Sequence, residues 1–568
     1  MLTLLAALPR LASIPIGSLN MHAARDVFRT LSLLSLHDVP LSGSELYFGG
    51  AVPGNFYFFL SAIPLIVWKS PYTVMAWIGI LTSLAAGITY LALRMVMGRM
   101  PALAACAAYA LFPQAFVENL WMWNPSHLPF LSSMALWGLC WWIRFRRPAG
   151  LALMLTVALL GIQVHLSAYA IFASGLLTYA AVFIVEKILR SPAHPTRNAS
   201  LFHLLVPFVV ILPFVLPALW TQSTFYFVPL KSAEAIKHTS IGLANPTLNP
   251  HAPLAISKAF TFQDDSLAWQ EFLNFQRFLA QLSQQSPALG RFCAGTAPVI
   301  SALGHAPFAI AGFALLAFAV FGRGAKNYAS ALESAEIDAA SARPFAFALL
   351  AWFLVPCAVL LKTIGDKPES PLGIPTRYIV ILFPVSMIFI GVGFAFIFNL
   401  LRRQTPLRIA SLVLFLAAQI VHALIIALFI GISIKTVGVF KATMPLNYTK
   451  PLFFEKQLCD FMADKHGASL NDFRERFFSD SNFMDFNGEQ FLNFELWKGA
   501  GGKGADPKKW FYLYDSARNP QPPRLIRESG PIVDELRVGQ FRLLVIERDD
   551  PTKPVIWPKS MLEPSLIY

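Results

Sequence analysis

Five short polar clusters interrupt an otherwise greasy chain, and their residue types are those that move protons or hold phosphate. HAARD (His22 to Asp26), GGAVPGNFYFF (Gly49 to Phe59), ENLWMWNPSHLPF (Glu118 to Phe130), QVHLS (Gln163 to Ser167) and IPTRYIVILFP (Ile374 to Pro384) supply carboxylates, imidazoles, amides, phenols and two arginines. A carboxylate or imidazole can withdraw a proton from a hydroxyl. A guanidinium can grip a phosphate through two parallel hydrogen bonds. The stretch from Asn20 to Leu65 adds Arg29, His37, Asp38 and Glu45, then re-enters an aromatic, apolar run through Pro53 and Gly54. Ionisable groups so placed belong at a membrane surface, beside helices able to wall off a lipid-accessible cleft. A solvated loop between two spans would account for the same charges.

The elements that position these clusters are membrane helices. Of 568 residues, 56% are hydrophobic and only 14% charged, whereas soluble domains carry about 25% charged residues. The net charge of +13 does not indicate nucleic acid, because the basic residues are scattered through short connections between apolar runs, where they set membrane orientation. The five cysteines, Cys106, Cys140, Cys293, Cys357 and Cys459, form no C-x-x-C pair and show no zinc spacing. Cys293 and Cys459 fall in segments placed outside the membrane, which leaves room for a disulfide.

Eleven spans are expected. The first, Leu2 to Leu19, is short and carries Arg10, which either snorkels from a tilted helix or marks a start lying further upstream. The others are Val74 to Leu93, Ala102 to Val117, Leu128 to Trp142, Leu151 to Ile162, Ser167 to Val185, Leu201 to Trp220, Pro307 to Phe321, Pro344 to Leu361, Tyr378 to Leu400 and Ile409 to Ile434. Arginines and lysines gather in alternate connections (Arg94 and Arg99; Arg144 to Arg147; Lys187 to Arg197; Arg323 to Arg343; Arg402 to Arg408), which puts those loops and the N-terminus in the cytoplasm. All five clusters then share the outer face. The same alternation makes Asn55 to Trp68 an interfacial helix within the first outer loop (residues 21–72), the competing reading being a twelfth, tilted span. Two outer segments are long enough to fold. Residues 221–302 hold an amphipathic helix near Trp269 to Leu282 that caps the membrane domain, and residues 435–568 form a small α+β domain with strands at Trp510 to Asp515 and Val538 to Arg548.

Taken in order, these motifs resemble the GT-C superfamily of integral-membrane glycosyltransferases, including the protein mannosyltransferase-like family 39 and the aminoarabinose transferases. The features that carry the resemblance are an acidic motif after the first helix, a Gly/Pro-led aromatic run, a Trp-Asn-Pro turn, a Gln-x-His motif and a late Pro-x-Arg-Tyr. It covers residues 1–434; the tail has no counterpart. It implies a sugar donor carried on a polyprenyl phosphate, inverting transfer on the outer face of an inner (plasma) membrane, and a lipid, glycan or protein acceptor. It fixes no cofactor, a divalent cation near Glu118 being the one candidate.

The resemblance also assigns roles. The general base of the family is a carboxylate in the first outer loop. On HAARD, Ala24, Arg25 and Asp26 match, but His22 stands where the leading carboxylate would be. Asp26, one helical turn from His22, can be the base, His22 can take that role, or the site is impaired. Glu118 and Asn124 at the Trp-Asn-Pro turn would bind a sugar hydroxyl or a divalent ion, or merely cap the turn. Gln163 and His165 would contact sugar or phosphate, or His165 is a satisfied structural residue of the helix junction, and Arg25 and Tyr57 line the same site. Arg377 and Tyr378, with Lys367, would clamp the lipid phosphate, or Arg377 is an ordinary snorkelling anchor. Two readings of other classes remain: a transporter or flippase for an amphipathic lipid, and a catalytically weakened binding or assembly partner.

Overall fold

The computed structural model describes residues 1–17, 21–37, 39–44, 52, 54–120, 122–188, 201–221, 256, 260, 275–321, 339–362, 382–435, 452–479, 497–499, 502–516, 520–522, 524–539 and 541–549. The chain is a polytopic α-helical membrane protein with a small α+β tail. Among the described residues, five helical stretches are long and apolar enough to cross a membrane by themselves, and shorter apolar helices pack between them.

α1 (Leu2–Ala12) is followed by a 3-10 turn, Ile14–Ile16, and then by α2 (Met21–Leu34). α2 is amphipathic at helical spacing: Ala23, Ala24 and Val27 are buried, Leu31 and Leu34 continue the stripe, and the set packs on Leu65, Val74, Met75 and Ile78. α3 (Phe56–Val67) is a 12-residue helix, and Ile63, Ile66, Val67 and Trp68 leave one flank exposed. At about 1.5 Å per residue that is too short to cross a bilayer, which suits the interfacial reading. α4 (Pro71–Arg94) begins on Ser70, whose hydroxyl accepts from the Tyr72 N–H at 3.3 Å.

The expected span Ala102 to Val117 is broken. α5 (Arg99–Leu111) stops at the extended Phe112, and α6 (Pro113–Val117) restarts with Pro113. After the Asn124–His127 turn come α7 (Leu128–Phe145), α8 (Pro148–Val164), α9 (Tyr169–Ile188) and α10 (Leu201–Thr221), the last with Pro207, Pro213 and Pro217 inside it. The remaining long helices are Ala297–Phe321, Ala339–Lys362, Val385–Leu400 and Thr405–Lys435.

Several expectations are corrected here. Arg10 does not snorkel: its side chain is buried, its Nη1 donates to the Ala6 carbonyl at 2.8 Å and to the Ala110 carbonyl at 3.0 Å, and its guanidinium lies over the Tyr109 ring. Two carbonyls and a ring face inside the bundle take the place of the membrane surface. Pro307 does not open its span. It sits within Ala297–Phe321, and neighbouring helices tolerate such a break at membrane depth. Four polar side chains therefore meet inside the bundle: Ser301 Oγ and His422 Nε2 lie 2.7 Å apart, as do Gln419 Nε2 and His305 Nε2. The Cys293–Cys459 pairing is not formed; both are buried free thiols in separate clusters.

The amphipathic stretch near Trp269 to Leu282 is a helix over Phe275–Gln285, and residues 261–274 lie outside the described residues. Phe278, Leu279 and Leu282 are buried against Val421, Ile425 and Phe429. In the tail, β1 (Phe477–Ser479), β2 (Lys509–Asp515), β3 (Ile532–Val538) and β4 (Phe541–Glu547) form one sheet in the order β1-β2-β4-β3. The run expected as a single strand from Val538 to Arg548 is the end of a hairpin, with Val538 paired to Phe541 across the turn. Phe511, Leu513, Leu543 and Val545 build the core against the Leu452–Asp460 helix.

Candidate functional site

The site begins at Asp26. It lies on the buried side of α2 with Ala23, Val27 and Thr30, and only 2% of it is exposed. Thr30 Oγ1 donates to the Asp26 main-chain carbonyl at 2.8 Å, holding that turn of helix. The carboxylate has two different partners: Ser44 Oγ donates to Oδ2 at 2.8 Å, and Arg25 approaches Oδ1 with Nε at 3.3 Å and Nη2 at 3.2 Å. Burial pushes the Asp26 carboxyl above its ordinary range, while the Arg25 charge, the hydrogen bonds from Ser44 and Arg25, and the more distant Arg29 pull it back. A carboxyl raised in this way is nearer neutrality, where a proton acceptor works best.

Ser44 escaped the sequence reading. It is delivered by a short antiparallel clamp in which the Gly43 N–H donates to the Val52 carbonyl at 2.9 Å and the Val52 N–H to the Ser44 carbonyl at 3.0 Å. A side chain at Gly43 would stand 2.6 Å from the Gly54 carbonyl and 2.9 Å from that of Val52, so only glycine lets the strands close.

From there the loop runs into α3. Gly54 has φ +86°, and the Gln163 side-chain amide occupies the space a β-carbon would need. Asn55 ties back to the Pro40 carbonyl at 2.7 Å through Nδ2, and its N–H donates to the Phe214 carbonyl of α10 at 3.1 Å. Phe214 lies against Phe56 and Phe59 at ring distances of 5.3 and 5.6 Å.

Tyr57 is buried. Burial, then the Asp26 charge, push its phenol up, which places it in the electrostatic reach of the carboxylate. Its ring meets His127 edge-on at 5.6 Å. His127, also passed over in the sequence, is fully buried, and burial holds its imidazole neutral by pushing its pKa down to about 4. From the same turn Asn124 Nδ2 donates to the Val164 carbonyl at 2.7 Å, next to Gln163. Asn55 Oδ1, Asn124 Oδ1 and both polar atoms of the Gln163 amide are buried without hydrogen-bond partners. Four of the five clusters thus converge: Asp26 and Arg25, Tyr57 with Gly54, Asn124 and Gln163.

Other candidates fare differently. His165 caps the 3-10 turn Leu166–Ala168: its Nδ1 accepts from the Ser167 N–H at 3.3 Å and lies 2.8 Å from the Ser167 hydroxyl. That nitrogen serves the fold. His22 lies in α2 and Glu118 in a 3-10 turn, Glu118–Leu120, but their side chains fall outside the described residues. Lys367, Arg377 and Tyr378 fall wholly outside them. Among the described residues no three His, Cys, Asp or Glu side chains come together as a metal site.

No family model matches the chain, and no curated protein matches it. Solved structures similar to it include ArnT from Cupriavidus metallidurans bound to undecaprenyl phosphate, at 11% identity and TM-score 0.44, with 97% of this chain and 98% of that one covered. The apo oligosaccharyltransferase of Archaeoglobus fulgidus overlaps at 13% identity and TM-score 0.43 and covers 87% of this chain and 63% of that one. The archaeal oligosaccharyltransferase AglB from the same organism, in complex with an inhibitory peptide and a dolichol-phosphate, overlaps at 14% identity and TM-score 0.43, covering 90% of this chain and 69% of that one. The overlap is too loose to assign chemistry, which rests on the residues above.

Proposed function

We propose that the protein is an inverting glycosyltransferase that moves a sugar from a polyprenyl-phosphate donor to an acceptor hydroxyl at the outer face of a bacterial-type inner membrane. The observation that carries this reading is Asp26, a buried carboxylate raised above its ordinary range, oriented by Ser44 and Arg25 at the foot of an interfacial helix. Asp26 takes the proton of the acceptor hydroxyl and the acceptor oxygen forms its bond to the anomeric carbon. The bond from that carbon to the phosphate oxygen breaks, and its electron pair leaves with the polyprenyl phosphate. Nearby cations stabilise that leaving charge; Arg25 and Arg29 are the described candidates, with Arg377 and Lys367 assigned to the same task by the sequence motif. The N-terminus then faces the cytoplasm and the tail lies outside.

The test is release of polyprenyl phosphate from a panel of lipid-linked sugars by purified protein in nanodiscs. Wild type should turn over at least one donor, and Asp26→Asn should abolish it. Turnover that survives in Asp26→Asn and disappears in His22→Ala moves the base to His22. Lipid binding or translocation with no transfer from any donor replaces the enzyme by a carrier or a binding partner.

A further inference from the structure

Asp26 has two carboxylate oxygens in unequal surroundings, and the difference bears on how a base would work. Oδ2 receives a 2.8 Å bond from Ser44, a residue 4% exposed. The Ser44 carbonyl accepts from the Val52 N–H and the preceding Gly43 N–H donates to the Val52 carbonyl, and a side chain at Gly43 would collide with the Gly54 and Val52 carbonyls. Among the described residues, Oδ1 receives the longer contacts from Arg25, at 3.2 and 3.3 Å, and the Arg25 side chain is 26% exposed. One oxygen is held by a buried hydroxyl on hydrogen-bonded backbone, whereas the other meets a partly exposed arginine at longer range.

We propose that Ser44 is a positioning residue that anchors Asp26 Oδ2, so that the acceptor's proton is taken at Oδ1. This inference rests on Asp26 being the base. It also gives Gly43 and Val52 a purpose that composition conceals: their main-chain bonds hold Ser44 against α2. The charged groups acting on Asp26 are Arg25 and Arg29 from its own helix, and Tyr57 faces it from α3. On α4, Tyr72 responds instead to Asp460 and Glu455 of the tail. The Ser44 bond favours the ionised carboxylate, so removing it raises the Asp26 pKa further.

The experiment is the pH dependence of kcat/KM for wild type, Ser44→Ala, Ser44→Thr and Asp26→Asn. Alongside it, the Asp26 carboxyl band is titrated by infrared difference spectroscopy without substrate, with Asp26→Asn identifying the band. In Ser44→Ala the acid limb and the infrared midpoint should both move up by about 1 pH unit, the size expected for one hydrogen bond to a charged group, and Ser44→Thr should restore both. An unmoved infrared midpoint in a folded Ser44→Ala protein overturns the Ser44 assignment. A shifted infrared midpoint with an unmoved acid limb, or turnover in Asp26→Asn within about 10-fold of wild type, overturns Asp26 as the base instead. If Ser44→Ala does not fold, Ser44→Cys, a weak donor of similar size, must shift both readouts upward, and no shift there is equally fatal.

Discussion

The side-chain amide of Asn124 donates to the main-chain carbonyl of Val164 at 2.7 Å, across 40 residues of sequence. Val164 is the last residue of α8, so its carbonyl has no partner within the helix. The Trp-Asn-Pro turn supplies that partner and is thereby fixed beside Gln163. Replacing Asn124 by Leu leaves a buried carbonyl unsatisfied. It should lower stability by about 1–3 kcal/mol, read as the melting temperature of purified protein in detergent. Asn124→Asp cannot donate at neutral pH and should be no better.

Gly54 and Gln163 form a second checkable pair. A left-handed φ costs a non-glycine residue about 1–2 kcal/mol, and here a β-carbon also collides with the Gln163 amide. Gly54→Ala should therefore destabilise by more than the backbone cost alone. Adding Gln163→Ala should recover only the collision part, which a double-mutant cycle isolates as a positive coupling. Full recovery in the double variant would show that the backbone conformation is not under strain.

Gln163 itself separates fold from function. Its amide is buried with neither polar atom bonded, a cost of about 1–3 kcal/mol. Gln163→Leu should raise the melting temperature. If the amide serves a sugar hydroxyl when donor is bound, the same variant raises the donor KM several-fold, whereas an unchanged KM removes Gln163 from the binding residues.

The bundle interior offers a control away from the site. His422 is bonded to Ser301, and Gln419 to His305, between the Thr405–Lys435 and Ala297–Phe321 helices. Interhelical hydrogen bonds in membranes contribute about 0.6 kcal/mol each on average, with a maximum near 1.7. Ser301→Ala and Gln419→Leu should each lower stability by about that amount and leave transfer intact. A loss of transfer at unchanged stability would move this cluster into the reaction and favour the carrier reading.

What the sequence disclosed follows from what pattern can carry. Long apolar runs marked most of the helices, and charge alternation singled out Asn55 to Trp68, the stretch that holds α3, as a segment apart. Pro307 and Phe112 show the opposite. A proline in a membrane helix gives no signal distinguishing a start from an interior position, and the break at Phe112 lies within an unbroken apolar run. In the site, Asp26, Arg25, Tyr57, Asn124 and Gln163 stood out because polar residues are scarce in this chain. Ser44 and His127 did not, since a serine among loop residues and a histidine at a helix start look ordinary. Only the clamp across Gly43 and Val52, and the ring contact with Tyr57, give them a place. His165 was legible as chemistry, yet the Ser167 backbone uses its Nδ1 as a cap.

The pH dependence of transfer follows from the direction of the Asp26 shift. Burial raises its carboxyl above the ordinary value of about 3.9, and a base acts only when ionised. Activity should therefore be lost as pH falls through the raised value, giving an acid limb above that expected of an exposed carboxylate. Stability runs the other way. Because the folded carboxyl holds its proton more tightly than the unfolded one, stability falls as pH rises from the unfolded value through the folded one, and the penalty is complete above both. Asp26→Asn removes that penalty while keeping the size of the side chain. At pH 7 it should melt no lower than wild type once the weakened Ser44 and Arg25 contacts are offset, and transfer should drop by about 100-fold or more, the range for losing a general base. A large fall in melting temperature would instead mark Asp26 as a structural ion-pair partner of Arg25, and the loss of transfer would then report misfolding.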